Sequence, residues 1–180
     1  MTKILSFDAS STTIGYAILE IDGLNNIKFI SCDHLKPIKS GTIIERLADT
    51  RDKIQKIINN IQPDLIGIEE IVQFMAGKST AKTIITLTAF NRMIGLLAYD
   101  YLKTNPKYLS VMTIRHALKL NKIFPKKEEI PSLVEKHLNI TFPSVLGKKG
   151  KIKPETYDRA DAVAVGLTYA FQLTNKLKKK

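Results

Sequence analysis

The first predicted strand of this chain ends in an acidic residue, and this constrains the fold more than any other feature of the sequence. Residues 3–21 predict a strand, a tight turn and a second strand, since small and hydroxyl side chains fill positions 9–13. Asp8 closes the apolar first strand, where a carboxylate is costly unless a cation, a hydrogen-bond donor or a ligand meets it. Hydrogen bonds from Ser10 or Ser11 would also account for it, so both interpretations stay open at this point.

The length and composition favour one folded domain over residues 1–180. A chain of 180 residues can bury a sizeable core, and 44% hydrophobic residues is ordinary for a globular protein. No apolar run reaches the length of a membrane span, and the N-terminus lacks the pattern of a secretory signal. Cys32, the single cysteine, has no partner for an internal disulfide. We therefore expect an intracellular protein.

All of the excess positive charge lies in the second half of the chain. Residues 1–90 contain 10 basic and 10 acidic side chains, whereas residues 91–180 contain 18 basic and 7 acidic ones, which accounts for the net charge of +11. A basic surface of this kind attracts polyanions, and nucleic acid is the first candidate. A lysine-rich surface that serves only solubility is the alternative.

The early part of the chain predicts a meander followed by a crossover. Residues 28–35 predict a third strand, so the chain opens with three antiparallel strands. Thr42 and Glu45 fit a capping box at the start of an amphipathic helix. Residues 65–68 are apolar without alternation, as expected of a buried parallel strand after a crossover helix.

A long helix is predicted over residues 80–102, and apolar side chains cover most of its circumference. One sheet cannot bury all of them, so a second surface must cover the rest. A homodimer interface would do so, because broadly apolar surface on a small protein marks an interaction site. Burial against another helix of the same chain is an equal alternative.

The second half of the chain completes an α/β fold. Residues 108–112 predict a fifth strand, and residues 113–119 and 127–138 predict helices, the second interrupted near its start by Pro131. A basic loop follows over 139–156, and the last helix is expected to begin between residues 155 and 157 and to end near 173. We predict a mixed five-stranded sheet, three antiparallel strands plus parallel ones, with helices on both faces.

Acidic residues from distant parts of the chain converge in this predicted fold. Asp8 and Glu69 end neighbouring strands, and Asp158 and Asp161 lie on one face of the last helix. Capping and the helix dipole would explain Asp158 but not Asp161, whose neighbours are apolar. Gathered carboxylates need divalent cations among them, and oxygen ligands without His or Cys select Mg²⁺ or Mn²⁺. Such a site on a basic protein suits two-metal hydrolysis of phosphodiesters.

Three motifs, in order, resemble the RuvC-type Holliday-junction resolvases of the ribonuclease-H-like nucleases, and most of all the phage members from lactic-acid bacteria. D-A-S-S-T-T-I-G-Y is similar to the family's D-P-G-S-x-x-x-G-Y and places the catalytic aspartate on Asp8. P-D-L-I-G-I-E matches the strand that ends in the family's glutamate, here Glu69. D-R-A-D-A-V-A-V matches D-x-A-D-A-L-A-I and places the last pair on Asp158 and Asp161.

The resemblance implies a fold, an activity and partners. It implies a ribonuclease-H-like sheet and a homodimer that nicks two opposed strands of four-way DNA junctions with two Mg²⁺ or Mn²⁺ ions. Asp8 would bridge both ions, and Glu69, Asp158 and Asp161 would complete their ligands. Neither a membrane nor a nucleotide cofactor is implied, and the expected location is the cytoplasm, that of the host cell if a phage encodes the chain.

Basic and aromatic residues are predicted to contact DNA, partly by approximate alignment with the family. Phe74 is a candidate wedge at the junction, although a core role for it is the alternative. The predicted DNA-binding residues are Phe74, Lys78, Arg115, Lys126, Lys127, Lys148, Lys149 and Lys151.

The chain departs from the family in ways that leave alternatives open. Ala9-Ser10 replaces the family's Pro-Gly, and residues between Glu69 and Phe74 leave Glu70 as an alternative ligand. Residues 121–156 differ from the bacterial enzymes, which would permit a broader set of branched substrates. A non-catalytic DNA-binding protein on this fold and an actin-like nucleotide-binding protein are the rival functions.

Overall fold

The protein, described here as a computed structural model, is built on a five-stranded mixed sheet. The structure describes residues 1–24, 26–71, 80–120 and 123–178, with side chains as far as residue 174. The strands are β1 (Thr2–Asp8), β2 (Ile14–Ile21), β3 (Ile27–Leu35), β4 (Leu65–Glu69) and β5 (Lys107–Leu109). The helices are α1 (Ile43–Ile61), α2 (Ala81–Leu102), α3 (Val111–Leu118), α4 (Ile130–Leu138) and α5 (Pro154–Lys178), with short 3-10 turns at Lys127–Glu129 and Lys148–Gly150.

The order of the strands across the sheet is β3-β2-β1-β4-β5. β1, β2 and β3 pair antiparallel as a meander, whereas β4 pairs parallel with both β1 and β5. The predicted mixed five-stranded sheet is therefore confirmed. Because parallel neighbours end at the same edge of a sheet, the C-terminal ends of β1 and β4 lie side by side.

Helices cover both faces of the sheet, as predicted. α1 and α2 pack on one face against Leu5 and Phe7 of β1, together with β4. α3, α4 and α5 pack on the other face, where α5 contacts β1 and β2 along much of its length. Successive strand side chains point to opposite faces, so Ser6 and Asp8, unlike Leu5 and Phe7, belong to the α5 side.

Small residues let α5 lie close to the sheet. A Cβ atom on Gly15 would lie 2.0 Å from the main-chain carbonyl oxygen of Asp158, so only glycine fits where β2 meets the second turn of α5. The buried Ser6 hydroxyl donates a 2.7 Å hydrogen bond to the carbonyl oxygen of Ala162. This packing fixes the distance between the helix and the end of β1.

The capping box predicted for α1 is present. The Thr42 side chain accepts from the main-chain N–H of Glu45, and the Glu45 carboxylate accepts from the N–H of Thr42 at 2.7 Å. The helix ends at Gln62, which has a left-handed conformation, immediately before Pro63. The sequence therefore predicted this start and this end correctly.

Two predicted boundaries in the second half were wrong, and one predicted interruption is confirmed. The fifth strand ends at Leu109 rather than residue 112, because the Ser110 side chain accepts from the N–H of Thr113 and begins α3. The helical span 127–138 is interrupted near Pro131 as predicted, since a 3-10 turn at Lys127–Glu129 precedes α4. The last helix continues to Lys178, beyond the predicted end near residue 173.

The basic loop before α5 is held by local contacts. Leu146 pairs with Ile152 in an isolated antiparallel bridge, and the N–H of Val145 donates to the Thr156 hydroxyl at 2.8 Å.

None of the helices in the described ranges is long and apolar enough to cross a membrane.

Candidate active site

The carboxylates of Asp8 and Glu69 come from adjacent strand ends. β1 and β4 pair in parallel register, with Phe7 opposite Ile68. The next position on each strand is Asp8 and Glu69, so both side chains leave the sheet toward the α5 face. The predicted strand-end positions of these two acids are the ones that the structure shows.

Asp158 and Asp161 lie above them on the second and third turns of α5. Both side chains are largely buried, with exposed fractions of 19% and 14%. The beginning of the helix is tied to β3 by Arg159, whose guanidinium donates to Asp33 and, at 3.0 Å, to the His34 ring. Since α5 begins at Pro154, N-terminal capping does not account for Asp158.

The carboxylates are close enough to change one another's protonation. Burial, followed by the negative charges of Glu69 and Asp161, raises the pKa of Asp8 well above its usual value. Burial and the charge of Asp161 raise the pKa of Glu69 to about 7. Burial also raises the pKa of Asp161. Ionising all of these acids together is therefore unfavourable in their buried surroundings.

Lys127 provides the cation nearest to this cluster. Its ammonium group lies 3.1 Å from a carboxylate oxygen of Asp158 and 3.1 Å from one of Asp161. Burial lowers the pKa of Lys127, but the carboxylates of Asp161, Asp8 and Asp158 together raise it above its usual value. Lys127 was predicted to bind DNA, and in this structure it binds the acidic cluster.

Arg115 is a second cation beside the carboxylates. Its positive charge lowers the pKa of both Glu69 and Asp161, and its guanidinium donates a hydrogen bond to the main-chain carbonyl of Pro125. Arg115 therefore connects α3, the segment before Lys127 and the acidic cluster.

Glu70 has a different environment from Glu69. Its carboxylate pairs with Arg92 of α2 at 2.7 Å, and the Arg92 guanidinium lies 4.7 Å from the centre of the Tyr108 ring. The main-chain N–H of Glu70 donates to the carbonyl of Leu109. Of the two neighbouring glutamates, Glu69 is the one that interacts with the other acids.

The turn after β1 does not hold the Asp8 carboxylate. The Ser10 hydroxyl bonds within the turn, donating to the carbonyl of Thr13, and the carbonyl of Ser11 accepts from Arg46. Within the described residues, neither serine donates to Asp8. The alternative in which Asp8 serves only as a turn acceptor is therefore not the one observed.

Two buried polar residues that the sequence did not single out support the site. The Asn91 side chain on α2 donates a 2.8 Å hydrogen bond to the main-chain carbonyl of Glu69. Ser6 joins β1 to α5, as described above. A polar residue inside an apolar helix or strand was the available signal in both cases.

The other predicted DNA-binding residues are not part of the cluster. Phe74 and Lys78 lie outside the described residues. The remaining four are exposed, and they are Lys126, Lys148, Lys149 and Lys151.

The donor set fits a hard divalent cation, because it consists of carboxylate oxygens without histidine or cysteine. Burial, together with the neighbouring acids, raises the pKa values of Asp8, Glu69 and Asp161, so a bound cation would stabilise their ionised forms. Among the residues described, no three ligand side chains already stand together as a site that could hold a metal ion. Lys127 lies between two of the acids instead, so a metal would require its departure or a rearrangement of the acids.

This sheet order, with helices on both faces and carboxylates at the ends of β1 and β4, is that of the ribonuclease-H-like fold. The family model for "Crossover junction endodeoxyribonuclease RuvC" matches residues 4–169. The chain belongs to the RuvC family of crossover junction endodeoxyribonucleases.

Individual relatives cover nearly the whole chain. The Campylobacter jejuni RuvC is 30% identical over 175 residues, covering 95% of this chain and 96% of the relative. The Aliarcobacter butzleri RuvC is 28% identical over 171 residues, covering 95% of this chain and 99% of the relative. Thermus thermophilus RuvC, solved in complex with a Holliday junction substrate, superposes with a TM-score of 0.71 at 17% identity, covering 97% of this chain and 96% of that one.

Family membership confirms the resemblance found in the sequence. The chain is an enzyme, a hydrolase that acts on DNA, and its family consists of nucleases that depend on divalent metal. Membership of this family favours a nuclease over the two rival functions, a non-catalytic DNA-binding protein and an actin-like nucleotide-binding protein.

Proposed function

We propose that this protein resolves four-way DNA junctions by nicking opposed strands in the cytoplasm. Two Mg²⁺ or Mn²⁺ ions would be held by Asp8, Glu69, Asp158 and Asp161. The observation that supports the proposal is the parallel register of β1 and β4, which sets Phe7 opposite Ile68 and so brings the next residues, Asp8 and Glu69, to the same edge of the sheet.

The chain's own residues hold the ligands in place. Asp8 and Glu69 are fixed by the ladder between β1 and β4, and Asn91 holds the main chain of Glu69. Asp158 and Asp161 are fixed by the close contact of α5 with Gly15. The chemistry that two such ions supply when bound is activation of a water and stabilisation of the leaving 3′-oxygen.

Exposed lysines would hold the DNA backbone around this site. Lys126 precedes the lysine in the cluster, and Lys148, Lys149 and Lys151 lie on the loop that leads into α5. Lysines in these places attract phosphates without regard to sequence. Phe74 and Lys78, which follow β4 in the chain, remain our candidates for contacts at the junction itself.

We further propose a homodimer formed through α2. Ile85 and Leu96 are 69% and 59% exposed, and Tyr99 is also exposed, although α2 packs against α1 and β4. Burial within the same chain thus leaves part of the apolar surface uncovered. A second copy would cover it and would bring two active sites to opposed strands of one junction.

The test is a nicking assay with a labelled four-way junction in Mg²⁺ or Mn²⁺, beside a linear duplex of the same sequence. We expect paired nicks in the junction only, none in EDTA, and none with Asp8→Asn. That variant should still bind the junction, because it removes negative charge without changing shape. Asp52→Asn, on the exposed side of α1, is the matched control and should cut normally. A wild-type protein that binds junctions without cutting in either metal would overturn the proposal.

A further inference from the structure

A cleft between the segment before Lys127 and helix α4 combines an apolar floor with a polar rim. It measures about 260 Å³, and its apolar lining includes Leu120, Phe124 and Leu133. Lys119 and Lys136 lie at its edge. Nothing in the active site described above uses this cleft.

Apolar side chains at the cleft are open to solvent. Ile123 is 81% exposed and Phe124 is 43% exposed. The Lys119 ammonium lies 5.4 Å from the centre of the Phe124 ring, and the His116 ring is tilted toward it at 6.4 Å. An aromatic ring kept accessible beside a cation can accept another flat ring.

The charge around the cleft favours an anionic occupant. Among the described residues that line it, Lys119 and Lys136 are basic. Glu129 is the carboxylate that lines the cleft, and it accepts a 2.6 Å hydrogen bond from the main-chain N–H of Lys126. Positive charge next to an exposed aromatic ring is the combination that binds single-stranded nucleic acid.

Two contacts join the cleft to the acidic cluster. Arg115 donates to the carbonyl of Pro125, the residue after Phe124. Lys127 lies two residues further along and contacts Asp158 and Asp161. DNA bound in the cleft would therefore place its backbone near the carboxylates.

We propose that the cleft between α4 and residues 119, 120 and 123–125 receives a nucleobase displaced from its pair at the branch point of branched DNA. The base would stack on Phe124, with the flanking phosphates on Lys119 and Lys136. This rests on the proposed function and adds to it a feature that distinguishes branched from fully paired DNA. An acidic rim would suit a basic partner protein; here the rim is mainly basic, and the volume suits one ring system. A duplex, whose bases remain stacked on each other, cannot fill the cleft.

The chain contains no tryptophan, so a Phe124→Trp variant carries a single reporter at the cleft. Its fluorescence is measured in EDTA, which prevents metal-dependent cutting, during titration with a four-way junction or with a duplex of equal length. We expect strong quenching by the junction and little by the duplex, since stacking on a base quenches indole emission. Leu24→Trp, in the exposed turn after β2, is the control and should not respond to either DNA.

Binding assays complete the test. Phe124→Ala should weaken binding to the junction by roughly 5-fold or more, the lower end of what stacking one base on an aromatic ring contributes. Phe124→Leu should weaken it similarly, and binding to duplex should be unchanged by both variants. Equal quenching by duplex and junction, or no quenching at saturation, would overturn the proposal.

Three further outcomes separate this proposal from the rival explanations and from the proposed catalysis. Quenching that depends on protein concentration without DNA, with a doubled mass that Phe124→Ala abolishes, would assign the cleft to a second copy of the chain and overturn the proposal. If the wild type nicks junctions while the reporter stays silent, only the base-binding cleft fails. If the reporter responds and no metal supports nicking, the cleft is supported and the proposed catalysis fails.

Discussion

The ammonium group of Lys127 lies 3.1 Å from a carboxylate oxygen of Asp161, inside a cluster whose other members are acids. Lys127 contacts Asp158 at the same distance. In the protein without metal, this side chain supplies part of the positive charge that the acids need. A divalent ion bound by the same oxygens must therefore compete with it.

Replacing this lysine should change metal binding and stability in opposite directions. In Lys127→Met the acids repel each other without compensation, so we expect the melting temperature in EDTA to fall by about 2–4 °C, the effect of roughly 1 kcal/mol on a chain of this size. Mn²⁺ should then bind more tightly and raise the melting temperature by more than in the wild type. Calorimetry and thermal unfolding with and without Mn²⁺ measure both effects.

Lys126→Met is the control for that substitution, because Lys126 is adjacent in sequence but is exposed and lies outside the acidic cluster. It should leave both the metal affinity and the stability unchanged. Weaker Mn²⁺ binding in Lys127→Met would show that the lysine supports the metal site instead of competing with it.

The elevated pKa of Glu69 predicts a specific dependence of stability on pH. Its carboxyl has a usual pKa of 4.5 and a folded pKa of about 7, so its charge destabilises the folded, metal-free protein above pH 7. This loss of stability disappears as the pH falls from 7 toward 4.5, because Glu69 then becomes protonated in the folded protein. Glu69→Gln should therefore be more stable than the wild type in EDTA at pH 8, on the order of 2 kcal/mol, and the difference should vanish near pH 4.5.

Urea unfolding across this pH range measures that difference. Glu70→Gln is the matched control, because its carboxylate pairs with Arg92 and its loss should bring no gain of stability at pH 8. A constant difference between Glu69→Gln and the wild type at all pH values would contradict the prediction.

A methyl group at Gly15 should displace α5. The Cβ atom would meet the main-chain carbonyl of Asp158 at 2.0 Å, and main-chain atoms of a packed helix cannot move aside cheaply. We expect Gly15→Ala to lose about 1–3 kcal/mol of stability and to lose nicking activity further, because Asp158 moves with the helix. Gly23→Ala, whose Cβ would meet nothing within 4 Å, is the control, and equal stability of the two variants would refute the prediction.

If the protein is a dimer through α2, a single substitution in that interface should halve its mass in solution. Light scattering of the wild type should give twice the chain mass of 20.2 kDa. Leu96→Asp places a charge in the exposed apolar part of α2 and should give the mass of a single chain. Leu24→Asp adds the same charge far from α2 and should remain dimeric, and a wild type that is monomeric at all concentrations would contradict the interface.

The sequence predicted the sheet well because its signals are local. The capping box of Thr42 and Glu45 and the apolar run before Glu69 depend on neighbours along the chain. The predicted end of β5 was wrong because local signals were not enough there. Ser110 can either continue a strand or begin a helix, and local propensity does not decide between the two. Asp8 and Glu69 could be placed together because parallel pairing alone brings strand ends into contact.

The sequence could not predict how cations are arranged around the site. Arg115 and Lys127 look like any basic residues of the second half, and only packing directs them to the acids. The choice between Glu69 and Glu70 likewise depends on Arg92, which lies on another helix. Such pairs join residues far apart in the chain, and no spacing rule encodes them.

Asp8 and Glu69 lie on the sheet, whereas Asp158 and Asp161 lie on α5, so the acidic cluster exists only where this helix is docked. A local opening that lifts α5 would separate the two pairs of carboxylates without unfolding the sheet. If these four acids hold the metal ions as we propose, detachment of one helix would abolish nuclease activity while most of the fold persists.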